Sequence, residues 1–510
     1  MDKIKLLIEF IVFFVTYMVW RVLMTKKAKY HLNIIQLNEY NNDKYRDWIK
    51  NNFSKAYSPF DEKTDSKTPL VMTGRAKRLL ATYMNIYRII VVVVLLAILC
   101  FTNYRITVYA GIIFLIIALF IQPQMMLLAN SINLPKEKKI NMGFYTSAQD
   151  KIKRLKAESG LKVIGITGSF GKTSVKFFTS TMLDEKFRVQ NTPSSYNTPM
   201  GLSKVINNEL DSSKEIFLAE LGAYKPGEIH EVASLVQPDI GVITAIGPTH
   251  MQMYKTIENI MKTKYELIED LDENGTAVFN YDNEYVRELA DKTTKKTIRY
   301  GTKDFMKLDY YAKDIEVSER GSTFTLVSKE KGSIECTTKL LGEHSVQNLL
   351  ASVAIGMELG MTLEEVKDRI EKIESVEHRL NLIEGQGGVI VIDDAFNSNP
   401  VGFRAALKVL SQFKTGKKII ITPGMVELGD MEEEENYKVG KEIAKVCDYA
   451  ILVGIKRTEP IKSGLIDSGF DEGKIISVRS LNDATAELGR ITASRDVVLF
   501  ENDLPDSYEE

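Results

Sequence analysis

The sequence predicts an α/β protein in three parts: N-terminal transmembrane helices over residues 1–145, a central domain with a parallel sheet over 146–376, and a Rossmann-like α/β domain over 377–510. Three observations predict it. Apolar runs crowd the first 125 residues, and a glycine turn stands between an apolar run and a helically spaced segment at 165–176. Beyond that turn, short apolar runs alternate with segments of helical spacing, the pattern of a parallel sheet covered on both faces.

Composition narrows the class. With 44% hydrophobic and 26% charged residues the 510-residue chain is globular rather than disordered. A formal net charge of -2 gives no general attraction to polyanions, so no nucleic-acid partner is expected. Cys100, Cys336 and Cys447 lie far apart without CxxC spacing, which argues against a disulfide framework and a cysteine-held zinc.

The membrane expectation comes from three runs. "IKLLIEFIVFFVTYMVW", from Ile4 to Trp20, is apolar apart from Lys5 and Glu9 and lacks a small-residue cleavage site, so it reads as a retained anchor. "IIVVVVLLAILCF" from Ile89 and "ITVYAGIIFLIIALFI" from Ile106 read as a helical hairpin. Because a span needs roughly 20 residues, Arg88 is expected to snorkel, with Tyr87 and Tyr104 at the interfaces. Lys26, Lys27, Lys29, Arg75, Lys77 and Arg78, and then Lys136, Lys138 and Lys139, place both flanking segments and the rest of the chain in the cytosol. The competing reading is a set of core helices. Glu9 is given no role.

"GITGSFGKTSVK" carries the most specific chemistry. The longer Walker pattern would need glycine where Ile166 stands, but the compact Gly168-Ser-Phe-Gly171-Lys172-Thr173 is present. Backbone N–H groups at a helix N-terminus can hold phosphate oxygens, Lys172 can bridge the outer phosphates, and the Thr173 hydroxyl can hold Mg²⁺. The central part is therefore expected to be a P-loop ATPase domain.

Strands are expected at "IFLAEL", "DIGVITAI" and "TAVFN", then at "VIVIDD", "KKIIITPG", "YAILVG" and "DVVLFEN", with "STFTLVS" and "IECTTKL" as an antiparallel pair between the groups. Ligands of open parallel sheets collect at the carboxyl ends of strands. Glu220 ends one strand and His250 follows another, so Thr173, Glu220 and His250 offer ligands for one or two Mg²⁺ ions. Taken singly, Glu220 reads equally as a solvated strand end and His250 as a structural histidine. "VIDDAFNSNP" ends a strand in two carboxylates and two amides, and "NSNP" is also a turn pattern.

Nine segments in order, among them "GITGSFGKTS", "NTPMGL", "AELGAYKPGEI", "FNYDNE", "LGEHSVQNLLAS", "IDDAFNSNP" and "PGMVELGDM", make residues 163–444 resemble the Mur ligase family, particularly its members that add a D-alanyl-D-alanine dipeptide. The resemblance implies an ATP-dependent amide ligase of peptidoglycan precursor synthesis. ATP converts a carboxylate to an acyl phosphate, which the amine of an amino acid or dipeptide then attacks. It implies nucleotide contacts from Gly168, Ser169, Phe170, Gly171, Lys172, Thr173 and Ser174, from Asn280, His344 and Asn348 on the adenine side, and from Arg379 and Asp394 on domain closure. It places Mg²⁺ on Thr173, Glu220, His250 and Lys264, the last as a carbamate formed with CO₂. Lys172, Lys264, His250 and Arg379 become the catalytic set, and Asn197, Thr198, Asn397 and Asn399 face the substrate. Without the resemblance, Lys264 reads as a solvated helix lysine.

Two departures stand out. Nothing before Gln149 resembles the family's uridine-diphosphate-binding domain, which suggests an acceptor held at the bacterial cytoplasmic membrane, UDP- or lipid-linked. The chain also ends in "LFENDLPDSYEE" where the family commonly carries Lys-Gly-Ser near the incoming amino acid. The competing functions are a ligase adding another amino acid to a cell-envelope acceptor, a membrane P-loop kinase of polysaccharide export, and an inactive membrane scaffold.

Overall fold

The computed structural model describes residues 2–58, 69–101, 104–193, 196–396 and 398–504, and it divides into two compact units, Met1–Gly143 and Phe144–Glu510. The first is helical, with helices Asp2–Leu37, Asn42–Asn51, Phe53–Tyr57, Gly74–Phe101 and Tyr104–Phe120 and the first part of Gln122–Ser159. Trp20, Leu32, Tyr45, Tyr83, Tyr87, Leu115 and Ala129 form its core. Polar groups share that interior. Tyr45 Oη and His31 Nδ1 are 2.8 Å apart, and Arg78 donates to both carboxylate oxygens of Glu137 at 2.6 and 2.7 Å.

The expectation of three membrane spans, and with it of placement in the cytoplasmic membrane, is not met. Among the described residues no single helix is long and apolar enough to cross a bilayer. One pair, Tyr109–Phe120 with Gln122–Ser159, reaches the required length and composition only together and is bent by 72° at its break. The apolar runs also contribute to a core of their own. Tyr87, expected at a lipid interface, is buried and donates to the Ala118 carbonyl at 3.1 Å. Tyr104's side chain and that of Glu9 lie outside the described side chains.

The second unit holds two sheets. The first contains β1 (Lys162–Thr167), β2 (Val189–Asn191), β3 (Ile216–Glu220), β4 (Ile240–Ile243), β5 (Thr276–Asn280), β6 (Lys296–Gly301), β7 (Tyr310–Ser318), β8 (Gly321–Ser328) and β9 (Gly332–Thr338), in the order β2-β3-β1-β4-β5-β6-β7-β8-β9. It is parallel from β2 to β7, and β8 and β9 close it antiparallel. Successive residues enter opposite cores: Val163 and Phe217 pack on one face, Ile164 and Leu218 on the other. Burial on both faces is why these strands read as continuous apolar runs.

The second sheet contains β10 (Asn381–Glu384), β11 (Ile390–Asp394), β12 (Lys418–Thr422), β13 (Tyr449–Val453), β14 (Ile475–Val478) and β15 (Val497–Glu501), ordered β10-β11-β15-β12-β13-β14. Only β10 runs antiparallel to its neighbour. Two features of strand order bring functional groups together. The chain leaves β1 toward β3 on one side and later fills β4 on the other, so the loop after β1 lies at a switch in strand order, where ligands of such sheets collect. The last strand, β15, inserts beside β11 and pairs Asp394 with Glu501.

Candidate active site

The glycine loop joins β1 to the helix Lys172–Leu183. It is pinned against the segment after β4: Ser169 N donates to the Ala245 carbonyl at 2.7 Å, its hydroxyl to the Gly247 carbonyl at 3.0 Å, and Thr244 Oγ1 to the Phe170 carbonyl at 2.5 Å. Glycine is required twice. At Gly168 (φ +155°) a Cβ would stand 2.1 Å from Thr244 Oγ1, and at Gly171 (φ +82°) 2.8 Å from Asn348 Oδ1. The result is a cradle at a helix N-terminus, which suits phosphate. Lys172 folds over it, its Nζ 2.7 Å from the Gly168 carbonyl and 3.3 Å from that of Ser169.

Glu220 ends β3 beside this loop. Its Oε2 accepts from Thr173 Oγ1 and from Lys176 Nζ, each at 3.1 Å, and its Oε1 accepts from Asn197 Nδ2 at 3.2 Å. The Thr173 hydroxyl and the Glu220 carboxylate, two oxygens of the kind magnesium prefers, are thus in contact. Lys176 has no signal of its own in the sequence, although it lies one helical turn beyond Lys172. The Lys176–Glu220 pair is almost wholly enclosed, at 0% and 2% side-chain exposure. Lys176→Met is therefore expected to destabilise the unit by about 3–5 kcal/mol by leaving Glu220 buried and unpaired. A falling denaturant midpoint would report this, and an unchanged midpoint would remove the pair from the account.

Lys264 lies on the helix Ile257–Glu269 and is buried, with its Nζ 5.9 Å from the Tyr254 ring centre. Burial first, and then the charge of Lys172, push its ammonium down to about 7, against the opposing pull of Glu228 and Glu266. It is not the solvated lysine that its residue type alone suggests. Glu266 accepts from the N–H groups of Gly227 and His230 at 2.7 and 3.0 Å, fixing the turn that carries Glu228. Burial likewise lowers Lys172, with Arg379 acting in the same direction and Glu220 opposing.

His250 has a positive φ of 51°. Its Nδ1 lies 2.5 Å from Glu427 Oε2, and its ring packs edge-on to Tyr224 with centroids 4.6 Å apart. Met251 N also donates to the Glu427 carbonyl at 3.0 Å. Glu427 belongs to "PGMVELGDM", a segment that carries part of the family resemblance but no expected role. The metal role expected of His250 is left to one ring nitrogen, because the other is held by Glu427.

A cavity of about 150 Å³ lies next to the loop. Phe170, Gly171, Ser174, Asn280, His344 and Asn348 line it from the first sheet's side, and Arg379, Asp394 and Asn399 from the second. Eight of the expected nucleotide-contact residues thus line one space, whereas Gly168, Ser169, Lys172 and Thr173 are not among its lining residues. Burial lowers His344 to about 4, leaving it neutral near pH 7. Arg379 stacks on Phe396 at 4.1 Å, and its charge opposes the burial that raises Asp394 to about 6.

Three of the expected substrate residues make contacts within the fold. Asn197 holds Glu220, Thr198 caps the helix Pro199–Asn208 by accepting from Gly201 N, and Asn399 caps Pro400–Ser411 by accepting from Val401 N and Gly402 N. Asn397 lies outside the described residues.

Fold and loop together define an α/β protein with a phosphate-loop-like glycine turn at the end of its first strand. Residues 166–356 match the Mur ligase middle domain, and residues 378–501 match the Mur ligase glutamate ligase domain. The chain belongs to the Mur ligase family. It is 32% identical over 300 residues, 59% of its length and 64% of the relative's, to the UDP-N-acetylmuramoyl-tripeptide–D-alanyl-D-alanine ligase of Bacillus subtilis (strain 168). To the enzyme so named in Escherichia coli (strain K12) it is 30% identical, covering 58% of this chain and 64% of that one. It therefore spans less than two thirds of the length of these relatives. Among solved structures, MurF from Acinetobacter baumannii superposes with a TM-score of 0.64 at 25% identity over 71% of this chain and 77% of that one. MurF ligase from Thermotoga maritima in complex with ADP gives 0.63 at 26% identity over 71% and 80%.

Proposed function

We propose that the protein is an ATP-dependent carbon–nitrogen ligase of peptidoglycan precursor synthesis that joins D-alanyl-D-alanine to the carboxylate of a UDP-linked muramoyl tripeptide. The observation that carries this reading is the grouping, around one glycine loop, of Lys172, the Thr173–Glu220 oxygen pair, the buried Lys264 and the Arg379–Asp394 side of the cavity. The names of the relatives supply the substrates.

An acceptor carboxylate oxygen attacks the γ-phosphorus of ATP, the bond to the β–γ bridging oxygen breaks, and ADP leaves. The amine nitrogen then attacks the acyl carbon, loses a proton, and phosphate departs with the oxygen that came from the acid. Both steps bring anions together, so positive charge fixed in advance is the main requirement. Lys172 and Arg379 supply it from this chain. Thr173, Glu220, one nitrogen of His250 and a carbamate on Lys264 are the groups that would hold Mg²⁺, which neutralises the phosphate oxygens when bound. A cavity lined by both sheets' domains excludes water from the acyl phosphate.

The test is phosphate release from ATP with UDP-muramoyl tripeptide and a panel of amines, using acid labelled with ¹⁸O. Dipeptide-dependent release carrying the label into phosphate is expected. Release with a single amino acid alone would favour the competing reading of a ligase with another donor, and release without label transfer would overturn the ligase reading.

A further inference from the structure

We propose that Glu501 is a positioning residue of the nucleotide cavity: as a neutral acid it donates to Asp394 and accepts from Ser398, fixing the Asp394 carboxylate and leaving one anion, not two, at this strand-end pair beside Arg379. The assignment rests on the proposed nucleotide-binding function.

Insertion of β15 beside β11 sets Asp394 and Glu501 in register at adjacent strand ends. Glu501 is 1% exposed and lines the cavity. Its Oε1 accepts from Ser398 Oγ at 2.6 Å, while its Oε2 meets no N–H or hydroxyl donor among the described residues. What lies beside Glu501 is the Asp394 carboxyl, carried by the residue in register on the neighbouring strand and lining the same cavity, and the two act on each other electrostatically. A buried carboxyl beside a half-buried one in the same cavity does not ionise together with it, so the pair shares one proton. Asp394 Oδ1 already accepts from Leu380 N at 3.2 Å and interacts with Arg379 more strongly than Glu501 does, so it is the ionised member. Burial and the Asp394 charge raise Glu501 well above the usual carboxylate range, in agreement with that proton placement.

The neighbouring segment is tied to the same strand end. Ser398 N donates to Asn502 Oδ1 at 3.2 Å, and Asn502 N to the Asp394 carbonyl at 3.2 Å. Glu501 and Asn502 thus hold Asp394 and Ser398 against the cavity. The charges that act on the pair are Arg379, on which Glu220 and Lys172 also act, and Asp393, which is itself paired with His378. With the shared proton in place, the Arg379 cation meets one carboxylate rather than two from the Asp394–Glu501 pair and keeps attraction for phosphate. Loss of that proton puts a second anion beside the nucleotide.

The test is calorimetric binding of Mg·ADP to the full chain between pH 6 and pH 9, with the split of KM for ATP from kcat as a second readout. Glu501→Ala is expected to weaken ADP binding roughly tenfold and raise KM for ATP equally, with kcat little changed. Glu501→Gln, a permanently neutral donor and acceptor, is expected to recover most of that loss and to lack the alkaline fall in affinity shown by the wild type. Glu501→Ala binding like the wild type, or Glu501→Gln as weak as Glu501→Ala, would overturn the assignment. Should Glu501→Ala not fold, Ser398→Ala is expected to weaken ADP binding two- to threefold, and no change there would count against it equally. Failure of the wild-type chain to bind ADP would overturn the ligase reading as well, which separates the two failures.

Discussion

Replacing Lys172 with alanine is expected to lower ligation by at least about 10³-fold, the scale seen when a group that neutralises transferring phosphate is removed. Lys172 opens its helix, where alanine is well tolerated, so the loss will not come from unfolding. Its Nζ rests on the carbonyls of Gly168 and Ser169, a contact that satisfies the ammonium while leaving it above the cradle. Burial and Arg379 both disfavour its charge, and phosphate oxygens offset that cost. Acceptor-dependent phosphate release at saturating ATP is the measurement. A variant retaining more than about a tenth of the activity would show that the phosphates are neutralised by other groups.

Lys264→Ala is expected to cost about 10²–10³-fold if Lys264 carries the proposed carbamate, because the variant has no nitrogen on which that anion can form. The chemistry demands a neutral amine: nitrogen attacks CO₂, a carbamate forms and a proton leaves. With the ammonium pushed down to about 7, roughly half the side chains are neutral at pH 7 and about a tenth at pH 6. Activity is therefore expected to fall below pH 7 and to recover partly when dissolved CO₂ is raised. An ordinary lysine near 10.4 would be almost wholly charged throughout this range. Protein equilibrated with ¹³C-bicarbonate should show a carbamate carbon resonance that Lys264→Ala lacks. Its absence from the wild type, with activity indifferent to CO₂, would remove Lys264 from the metal site.

Among the strands that the residues announced, "IFLAE" and "IGVI" are buried along their whole length, where an apolar run has no competing explanation. Those not announced are short or half exposed. β2 has three residues, β6 "KTIRYG" alternates polar and apolar, and β7 carries an irregularity between Lys313 and Glu316. The N-terminal runs show the opposite difficulty. Hydropathy registers that a segment avoids water, without registering whether lipid or protein replaces it. Here Trp20, Tyr83 and Tyr87 are enclosed by neighbouring helices, together with His31 and Glu137.

By itself the sequence determined the glycine loop, the helix that follows it, the acidic strand ends Glu220 and Asp394, and the family. All of these are written in residues adjacent to one another or at a fixed local period. Tertiary structure alone decided that Lys176 neutralises Glu220, that His250 meets Glu427, that Lys264 is dry enough to lose its proton near neutrality, and that Glu501 faces Asp394. Each of these depends on which strand lies beside which, or on what covers a helix. Such contacts join residues 44 to 177 positions apart, as Lys176–Glu220 and His250–Glu427 do, and no local pattern encodes them.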